Sequence, residues 1–178
     1  AFKYKKSNRW IREQLRHNEK HSRINTSSSV VGVLDCTFFG RGYGILVCRD
    51  PNQRKNIHWF EVSTENPSLY LKAKTELAAK GILLTAVVLD GKAGVRSIFK
   101  DLPVQMCQFH QIQIVRRYLT TRPKLLAGQE LRLITIGLSK MNEKIFTELL
   151  HLWYMKWELF LKEKTFAEEG KHWQYTHK

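Results

Sequence analysis

The order of the apolar runs constrains the fold of this chain more than any other feature. Three short runs rich in β-branched or aromatic residues, 30–34, 43–48 and 57–62, follow one another with only turns between them. Such short connections predict an antiparallel three-strand meander. Two further apolar runs, 84–89 and 104–107, are each preceded by a helical segment, which predicts parallel strands with helices on the faces of the sheet. We therefore expect an α/β protein with a mixed sheet, because a doubly wound fold would place a helix after the first strand.

Helical signals fill the spaces between and after these strands. Asn66-Pro67 predicts the start of one helix, and Gly81 its end, where glycine commonly follows a helix C-terminus. A short helix ending at Phe99 is predicted between the last two strands. Further helices are predicted in the basic segment 1–25 and over 108–122, 124–138 and 143–163.

The charge of the chain is strongly positive and unevenly distributed. The 178 residues include 30 Lys and Arg against 16 Asp and Glu, a formal net charge of +14. Residues 1–25 carry eight Lys or Arg against two Glu, and residues 92–140 carry nine against two acids. Phosphate contacts from such side chains release counterions, so this charge favours a nucleic-acid partner. A well-solvated basic surface is the alternative.

Hydropathy and cysteine usage argue against several other classes of protein. No apolar run approaches the roughly 18 residues that a membrane span needs, and the N-terminus lacks the apolar segment of a signal peptide. Cys36, Cys48 and Cys107 are widely spaced, which favours a reducing compartment over a disulfide framework. Because the sequence does not begin with Met, we expect it to be part of a longer protein.

Two aspartates share one context: Asp35 and Asp90 each follow an apolar, strand-like run. A carboxylate at a buried strand end is costly unless it is paired or bound to metal. If the two strands are neighbours, both carboxylates emerge at one edge of the sheet, where they could hold two Mg²⁺ ions roughly 4 Å apart. The alternative is a turn or N-cap role, which Asp90 before Gly91-Lys92 fits by itself. The pair, in a basic chain with this strand order, favours the metal site.

Cys107 and His110 have a spacing compatible with zinc, but the sequence shows no second pair of ligands. Nothing nearby orients the histidine for a Cys-His nucleophile. We expect Cys107 to pack in the core and His110 to point toward the active site or a DNA phosphate.

Other patterns in the sequence have structural interpretations. Gly40, Gly42 and Gly44 are expected to be turn glycines, because no Lys-Ser/Thr pair of a phosphate loop follows them. Trp153 and Trp157 are expected to lie in the core or in a subunit contact.

Three segments carry a more specific signal: VVGVLDCTFFGRGYGILVCRD at 30–50, AVVLDGKAGVRSIF at 86–99 and VQMCQFHQIQIVRRYLTTRPKL at 104–125. Asp-Gly follows the fourth strand and Cys-x-x-His follows the fifth, in that order. Together these segments resemble the catalytic core of a bacterial insertion-sequence DDE transposase, most closely of the Mutator-like group. The resemblance covers residues 28–178.

This resemblance implies a ribonuclease H-like fold with flanking helices and a helical insertion. It implies a basic N-terminal segment and linker over 1–27, the catalytic core over 28–122 and the insertion over 123–178. Asp35 carries over as the first catalytic carboxylate and Asp90 as the second, and both are ligands of Mg²⁺ or Mn²⁺, with two ions in the complete site. Cys107 and His110 carry over as the accessory Cys-x-x-His element.

The activity implied is metal-dependent cleavage and strand transfer in DNA transposition, a form of DNA recombination. Water frees a 3′-OH, which attacks target DNA without a covalent enzyme intermediate. The implied partners are double-stranded DNA, as transposon ends and target, and further copies of the full-length protein. The implied location is the bacterial cytoplasm, associated with the nucleoid. Candidate DNA contacts are Lys92, Arg96, Arg116, Arg117, Arg122 and Lys124.

The sequence departs from this family at the third carboxylate. The family places that Glu on a late helix in an Asn-Ser-Leu-Glu-Gly-like stretch, which Glu158, Glu163, Glu168 and Glu169 do not match. We expect the third carboxylate beyond Lys178, and the chain by itself to be weakly active or inactive. The alternatives are a ribonuclease H-like nuclease or resolvase, and a non-catalytic DNA-binding fragment of a truncated transposase.

Overall fold

The structure, a computed structural model, describes residues 7–19, 29–170 and 172–177. The chain divides into two compact units, Ala1–Cys107 and Gln108–Lys178. This division falls before the boundary between 122 and 123 that the resemblance implies, and that boundary stays a prediction. The linker predicted over 25–29 lies outside the described residues except for Ser29.

The first unit is built on a five-strand mixed sheet. Its strands lie in the order β3-β2-β1-β4-β5, with β1–β2 and β2–β3 antiparallel and β1–β4 and β4–β5 parallel. The α/β class and the mixed sheet predicted from the sequence are therefore confirmed. The elements are α1 (Asn8–Glu19), β1 (Ser29–Phe38), β2 (Gly44–Asp50), β3 (Lys55–Val62), α2 (Pro67–Ala79), β4 (Leu83–Leu89), a 3-10 helix (Arg96–Phe99) and β5 (Val104–Met106).

The core of this unit lies between one face of the sheet and α2. Val30 and Leu34 of β1 are buried, whereas Val31, Val33 and Asp35 on the other face are half-buried. Alternating side chains of a strand point to opposite faces, which produces this pattern. The best-buried side chains of the core are Leu34, Leu46, Cys48, Tyr70, Leu77, Val87, Val95 and Phe99.

The first strand is longer than the sequence predicts. The apolar run ends at Leu34, but β1 continues through Asp35 to Phe38. The last β1–β4 pair is Val33 with Val88, while pairing with β2 extends to Phe38 opposite Gly44. The apolar run marks the part of β1 that has a neighbouring strand on both sides. Beyond Val33, β1 is paired with β2 alone and continues to Phe38.

The predicted ends of α2 are confirmed. Asn66 is the extended N-cap residue and Pro67 occupies the first turn, where its missing N–H costs no helical hydrogen bond. Gly81 follows the helix with φ of 74°, in the left-handed region that glycine adopts readily.

The second unit is helical, with one short hairpin. It contains α3 (Gln108–Leu119), α4 (Leu126–Ile136), a 3-10 helix (Gly137–Lys140), α5 (Glu143–Lys162), β6 (Lys164–Ala167) and β7 (His172–Tyr175). The three α-helices confirm the predicted segments, while the antiparallel β6–β7 pair was not predicted. None of the helices in the described ranges combines the length and hydropathy that a membrane span requires.

Candidate active site

Asp35 and Asp90 each lie two residues beyond the last residue pair of two neighbouring parallel strands. The last pair of β1 and β4 is Val33 with Val88, so two residues further along each chain lead to Asp35 and Asp90. Asp35 lies within β1 on the sheet face of Val33, opposite the face that packs on α2. Asp90 directly follows the last residue of β4, and the negative charges of both aspartates act on the Cys36 thiol. Both aspartates are half-buried. β1 and β4 are therefore parallel neighbours, as the predicted site requires. The catalytic role of Asp35 and Asp90 stays a prediction.

The turn after β4 fixes the backbone around Asp90. Gly91 has φ of 91°, a conformation that strains residues with a side chain. A Cβ there would also lie 2.8 Å from Met106 Cε. One carboxylate oxygen of Asp90 accepts a hydrogen bond of 2.9 Å from the Lys92 backbone N–H. This Asx-type turn agrees with the alternative that Asp90 is a turn residue. Asp90 does not cap the following 3-10 helix, which begins only at Arg96.

Asp35 is held within β1 by the hairpin with β2. It is paired across the strands with Val47, and its Oδ2 accepts a hydrogen bond of 3.3 Å from Thr37 Oγ1. The next residue, Cys36, senses the charge at this edge of the sheet. Burial, and then the negative charges of Glu65, Asp35 and Asp90, raise the pKa of the Cys36 thiol to about 12. The thiol is therefore protonated at neutral pH and is a poor nucleophile.

Glu65 is a third carboxylate in this region, which was not predicted from the sequence. Its side chain is 15% exposed, its Oε1 accepts a 2.6 Å hydrogen bond from the Tyr70 hydroxyl, and its Oε2 lies 3.7 Å from Lys92 Nζ. Tyr70 is fully buried, and burial, followed by the hydrogen bond to Glu65, raises its pKa. Tyr70 therefore stays a hydrogen-bond donor. The only sequence signal for Glu65 is its position before Asn66-Pro67, which reads as an ordinary helix start.

The carboxylates do not by themselves form a complete metal centre. Among residues 7–19, 29–170 and 172–177, no group of three or more His, Cys, Asp or Glu is placed to hold a metal ion. The donor chemistry of Asp35 and Asp90 nevertheless suits Mg²⁺ or Mn²⁺, which prefer carboxylate oxygens and retain several waters. Glu65 is instead engaged by Tyr70 and Lys92.

The structure places Cys107 and His110 in different units. Cys107 is half-buried directly after β5, and its backbone N–H donates to the Leu89 carbonyl at 2.6 Å. His110 lies in the first turn of α3, half-buried, with its ring edge-on to Phe109 at 5.4 Å. Their accessory role stays a prediction.

The predicted DNA contacts also fall in both units. Lys92 and Arg96 are exposed in the first unit. The others lie at the end of α3 and in the following connection, where they are likewise exposed: Arg116, Arg117, Arg122 and Lys124.

The turn glycines and the two tryptophans of α5 have structural roles. Gly40 and Gly42 have positive φ values of 146° and 70° in the β1–β2 connection, as expected of turn glycines. The prediction is wrong for Gly44, which is the first residue of β2 and is paired with Phe38. Trp153 and Trp157 are half-buried, and their indole N–H groups donate to the Ala127 carbonyl and the Glu130 carboxylate at 2.8 Å each. The tryptophans therefore attach α5 to α4.

No model of a known protein family matches this sequence, and comparison with curated proteins finds no match either.

Proposed function

We propose that this chain is the ribonuclease H-like catalytic segment of a DDE-type transposase, which cleaves DNA and transfers the freed strand in a metal-dependent reaction. The observation that carries the proposal is the parallel pairing of β1 with β4, whose last pair, Val33 with Val88, lies two residues before Asp35 and Asp90. The strand order, a meander followed by two parallel strands, supports it as well. Double-stranded DNA is the proposed partner and the bacterial nucleoid the proposed location.

Asp35 and Asp90 are the proposed metal ligands, with the third carboxylate supplied from a segment beyond Lys178. A divalent cation bound there would supply an activated oxygen nucleophile and stabilise the leaving oxygen. The chain's contribution is the rigid placement of both carboxylates. Asp35 is fixed by strand pairing on β2, and Asp90 by the Gly91 turn and the Lys92 backbone N–H.

Lys92 is the proposed phosphate contact nearest to the carboxylates. Its side chain is 42% exposed, and it shares Glu65 with the buried Tyr70 hydroxyl. A positive charge beside two carboxylates reduces their mutual repulsion and attracts a phosphodiester toward them. The Tyr70–Glu65 hydrogen bond orients Glu65 and so limits the positions that the Lys92 ammonium group occupies.

The direct test is Mn²⁺ binding to the chain, followed by electron paramagnetic resonance, because it does not require the third carboxylate. Asp35→Asn and Asp90→Asn are each expected to weaken binding at least tenfold. Asp101→Asn is the matched control, since Asp101 is exposed and pairs with Lys74 at 2.6 Å. Equal Mn²⁺ affinity in all four proteins would overturn the assignment of the metal ligands.

Activity is tested in the protein that includes the downstream segment. There Asp35→Asn or Asp90→Asn is expected to abolish strand transfer while DNA affinity stays within about threefold. Mg²⁺-dependent transfer that persists in either variant would refute the proposal. Cleavage without transfer would favour the nuclease or resolvase alternative, and DNA binding without metal binding would favour the non-catalytic fragment.

DNA binding itself is tested by its dependence on salt. Affinity for duplex DNA is expected to fall steeply as salt rises, because each phosphate contact releases counterions. Arg116→Gln combined with Arg117→Gln is expected to reduce the slope of log affinity against log salt by about 2, one unit for each lost phosphate contact. A slope near zero for the unaltered chain would exclude the nucleic-acid partner.

A further inference from the structure

A small cavity lies between α3 and α4 in the second unit. Its volume is about 150 Å³, and its apolar walls are formed by Ile112, Val115 and Leu119 of α3 and by Ile136 of α4. Residues spaced three, four or seven apart lie on one face of a helix, so the α3 residues form a continuous wall. A cavity of this volume with apolar walls holds a group about the size of benzene.

Two arginines line the same cavity. Arg116 of α3 is exposed and Arg132 of α4 is half-buried. Neither forms an ion pair within the part of the chain that the structure describes. The one acidic residue in 108–140 is Glu130, which already accepts hydrogen bonds from two side chains of α5. Two guanidinium groups without a carboxylate partner form a site for an anion.

The walls of the cavity favour a hydrocarbon group over a nucleobase. None of the described residues that line it is aromatic, so a base would have no ring on which to stack. Thr135, which is 4% exposed, donates its hydroxyl proton to the Leu131 carbonyl at 2.7 Å. The polar edge of a base would therefore be buried against aliphatic side chains, which is costly without hydrogen-bond partners. A hydrocarbon ring or branched chain has no such edge.

We propose that this cavity binds a small organic anion, in which a hydrocarbon group about the size of benzene is attached to a carboxylate or a phosphate. The hydrocarbon group fills the aliphatic part of the cavity, and the anionic group pairs with Arg116 and Arg132. Both kinds of anion match the planar fork of an arginine side chain, which donates two parallel hydrogen bonds. Arg116 is also a proposed DNA contact, whereas Arg132 belongs to the cavity alone. The binding does not depend on the proposed transposase chemistry.

The experiment titrates the 178-residue chain with benzoate and with phenyl phosphate at constant ionic strength and follows methyl resonances by NMR. At least one of the two probes is expected to bind with a dissociation constant of about 1 mM or lower. The methyl resonances of Ile112, Val115, Leu119 and Ile136 are expected to shift, while those of Leu77 in the first unit stay in place.

Two further probes separate the contributions of the ring and the charge. Benzyl alcohol has the ring without the charge and is expected to bind about tenfold more weakly, because it lacks the charge-assisted hydrogen bonds. Acetate has the charge without the ring and is expected to bind about tenfold more weakly as well, because it leaves the apolar part of the cavity empty.

Variants distinguish the arginine pair from the overall positive charge of the chain. Arg132→Gln is expected to weaken binding of the tighter probe about tenfold, because hydrogen bonds to a charged group are lost. Arg122→Gln is the matched control: it removes the same charge from an exposed residue outside the cavity and is expected to change the affinity less than about twofold. Val115→Phe is expected to abolish binding by filling the cavity, with circular dichroism to check its helices. If Val115→Phe did not fold, the arginine variants would decide the question.

Three results would each overturn the proposal. No saturable shift with either probe would show that the cavity is not a binding site. Equal affinity for benzyl alcohol would show that the arginines do not recognise an anion there. Equal losses of affinity in Arg132→Gln and Arg122→Gln would show that the probes respond only to the overall positive charge.

Discussion

The first unit encloses its apolar side chains, whereas the second leaves many of them in contact with solvent. In the first unit the sheet and α2 bury a continuous set of residues that includes the fully enclosed Tyr70 and Phe99. In the second, the buried residues among those described are Ala127 and Thr135, and α5 contains none. Burial of apolar area is the main favourable contribution to folding. The sheet unit is therefore stabilised by its own buried core, while the helical unit keeps apolar surface exposed to solvent.

Truncating one leucine in each unit is expected to show the largest difference between them. Leu77→Ala removes a fully buried side chain of α2 and is expected to lower the free energy of unfolding by about 2–5 kcal/mol. Leu159→Ala, at an 87% exposed position of α5, is expected to change it by less than about 0.5 kcal/mol. Urea denaturation followed by circular dichroism measures both. Equal losses of unfolding free energy would show that the apolar side chains of the two units contribute equally to stability.

A buried carboxylate in the first unit is expected to have the next largest effect. Asp50 is 2% exposed, and its Oδ1 accepts hydrogen bonds of 2.8 and 3.2 Å from the backbone N–H groups of Asn52 and Gln53. Asp50→Ala leaves both donors without this partner and is expected to cost about 1–3 kcal/mol. Asp101→Ala, at an exposed position, is the control in the same urea titration. A loss no larger than that of the control would show that the β2–β3 turn holds without this carboxylate.

His58 makes the stability of the first unit depend on pH. Its Nε2 lies 2.7 Å from Glu76 Oε2 and its Nδ1 3.0 Å from Lys80 Nζ. Burial, and then the positive charge of Lys80, lower the pKa of His58 below its ordinary 6.5, although Glu76 opposes this. The unfolded chain therefore binds the proton first as pH falls. The stability contributed by neutral His58 is present above about pH 6.5 and is lost below it, as pH falls through the folded pKa.

The measurement is the free energy of unfolding between pH 5 and 8. His58→Gln is expected to flatten its rise with pH in the acidic half of this range. His151→Gln, on the exposed surface of α5, is expected to retain the rise because His58 is still present. If the pH profile of His58→Gln matched that of the unaltered chain, His58 would not cause the pH dependence of the free energy of unfolding.

The smallest expected effect concerns the N-cap residues of α5 and α2. Asn142 Oδ1 accepts a 2.9 Å hydrogen bond from the Ile145 N–H, whereas the side chain of Asn66 makes no such bond at the start of α2. Asn142→Ala is expected to cost about 1 kcal/mol, the usual loss for a capping side chain. Asn66→Ala should cost less. Hydrogen exchange of the first turn of each helix would detect the difference, and equal losses of protection would contradict it.

Much of the fold follows from local patterns, but the site follows only in part. Five apolar runs and the Asn66-Pro67 and Gly81 signals predicted the five strands, the mixed sheet and the position of α2, whereas the position of β4 beside β1 was only a condition of the predicted site. The extension of β1 past Asp35 and the β6–β7 hairpin were missed because neither is marked by an apolar run. Glu65 was missed for a different reason: its contact with Lys92 spans 27 residues of sequence. No local pattern indicates a partner at that distance.

The amino-acid sequence by itself determined the periodicities, the positive charge and the two aspartates that follow apolar runs, because these depend on residue type and spacing alone. Only the tertiary structure decided that β1 and β4 are parallel neighbours, that Tyr70 and Lys92 share Glu65, and which side of α5 faces solvent. These features arise when distant segments pack together. The side chains that a helix buries depend on its neighbours as well as on its own period of 3.6 residues.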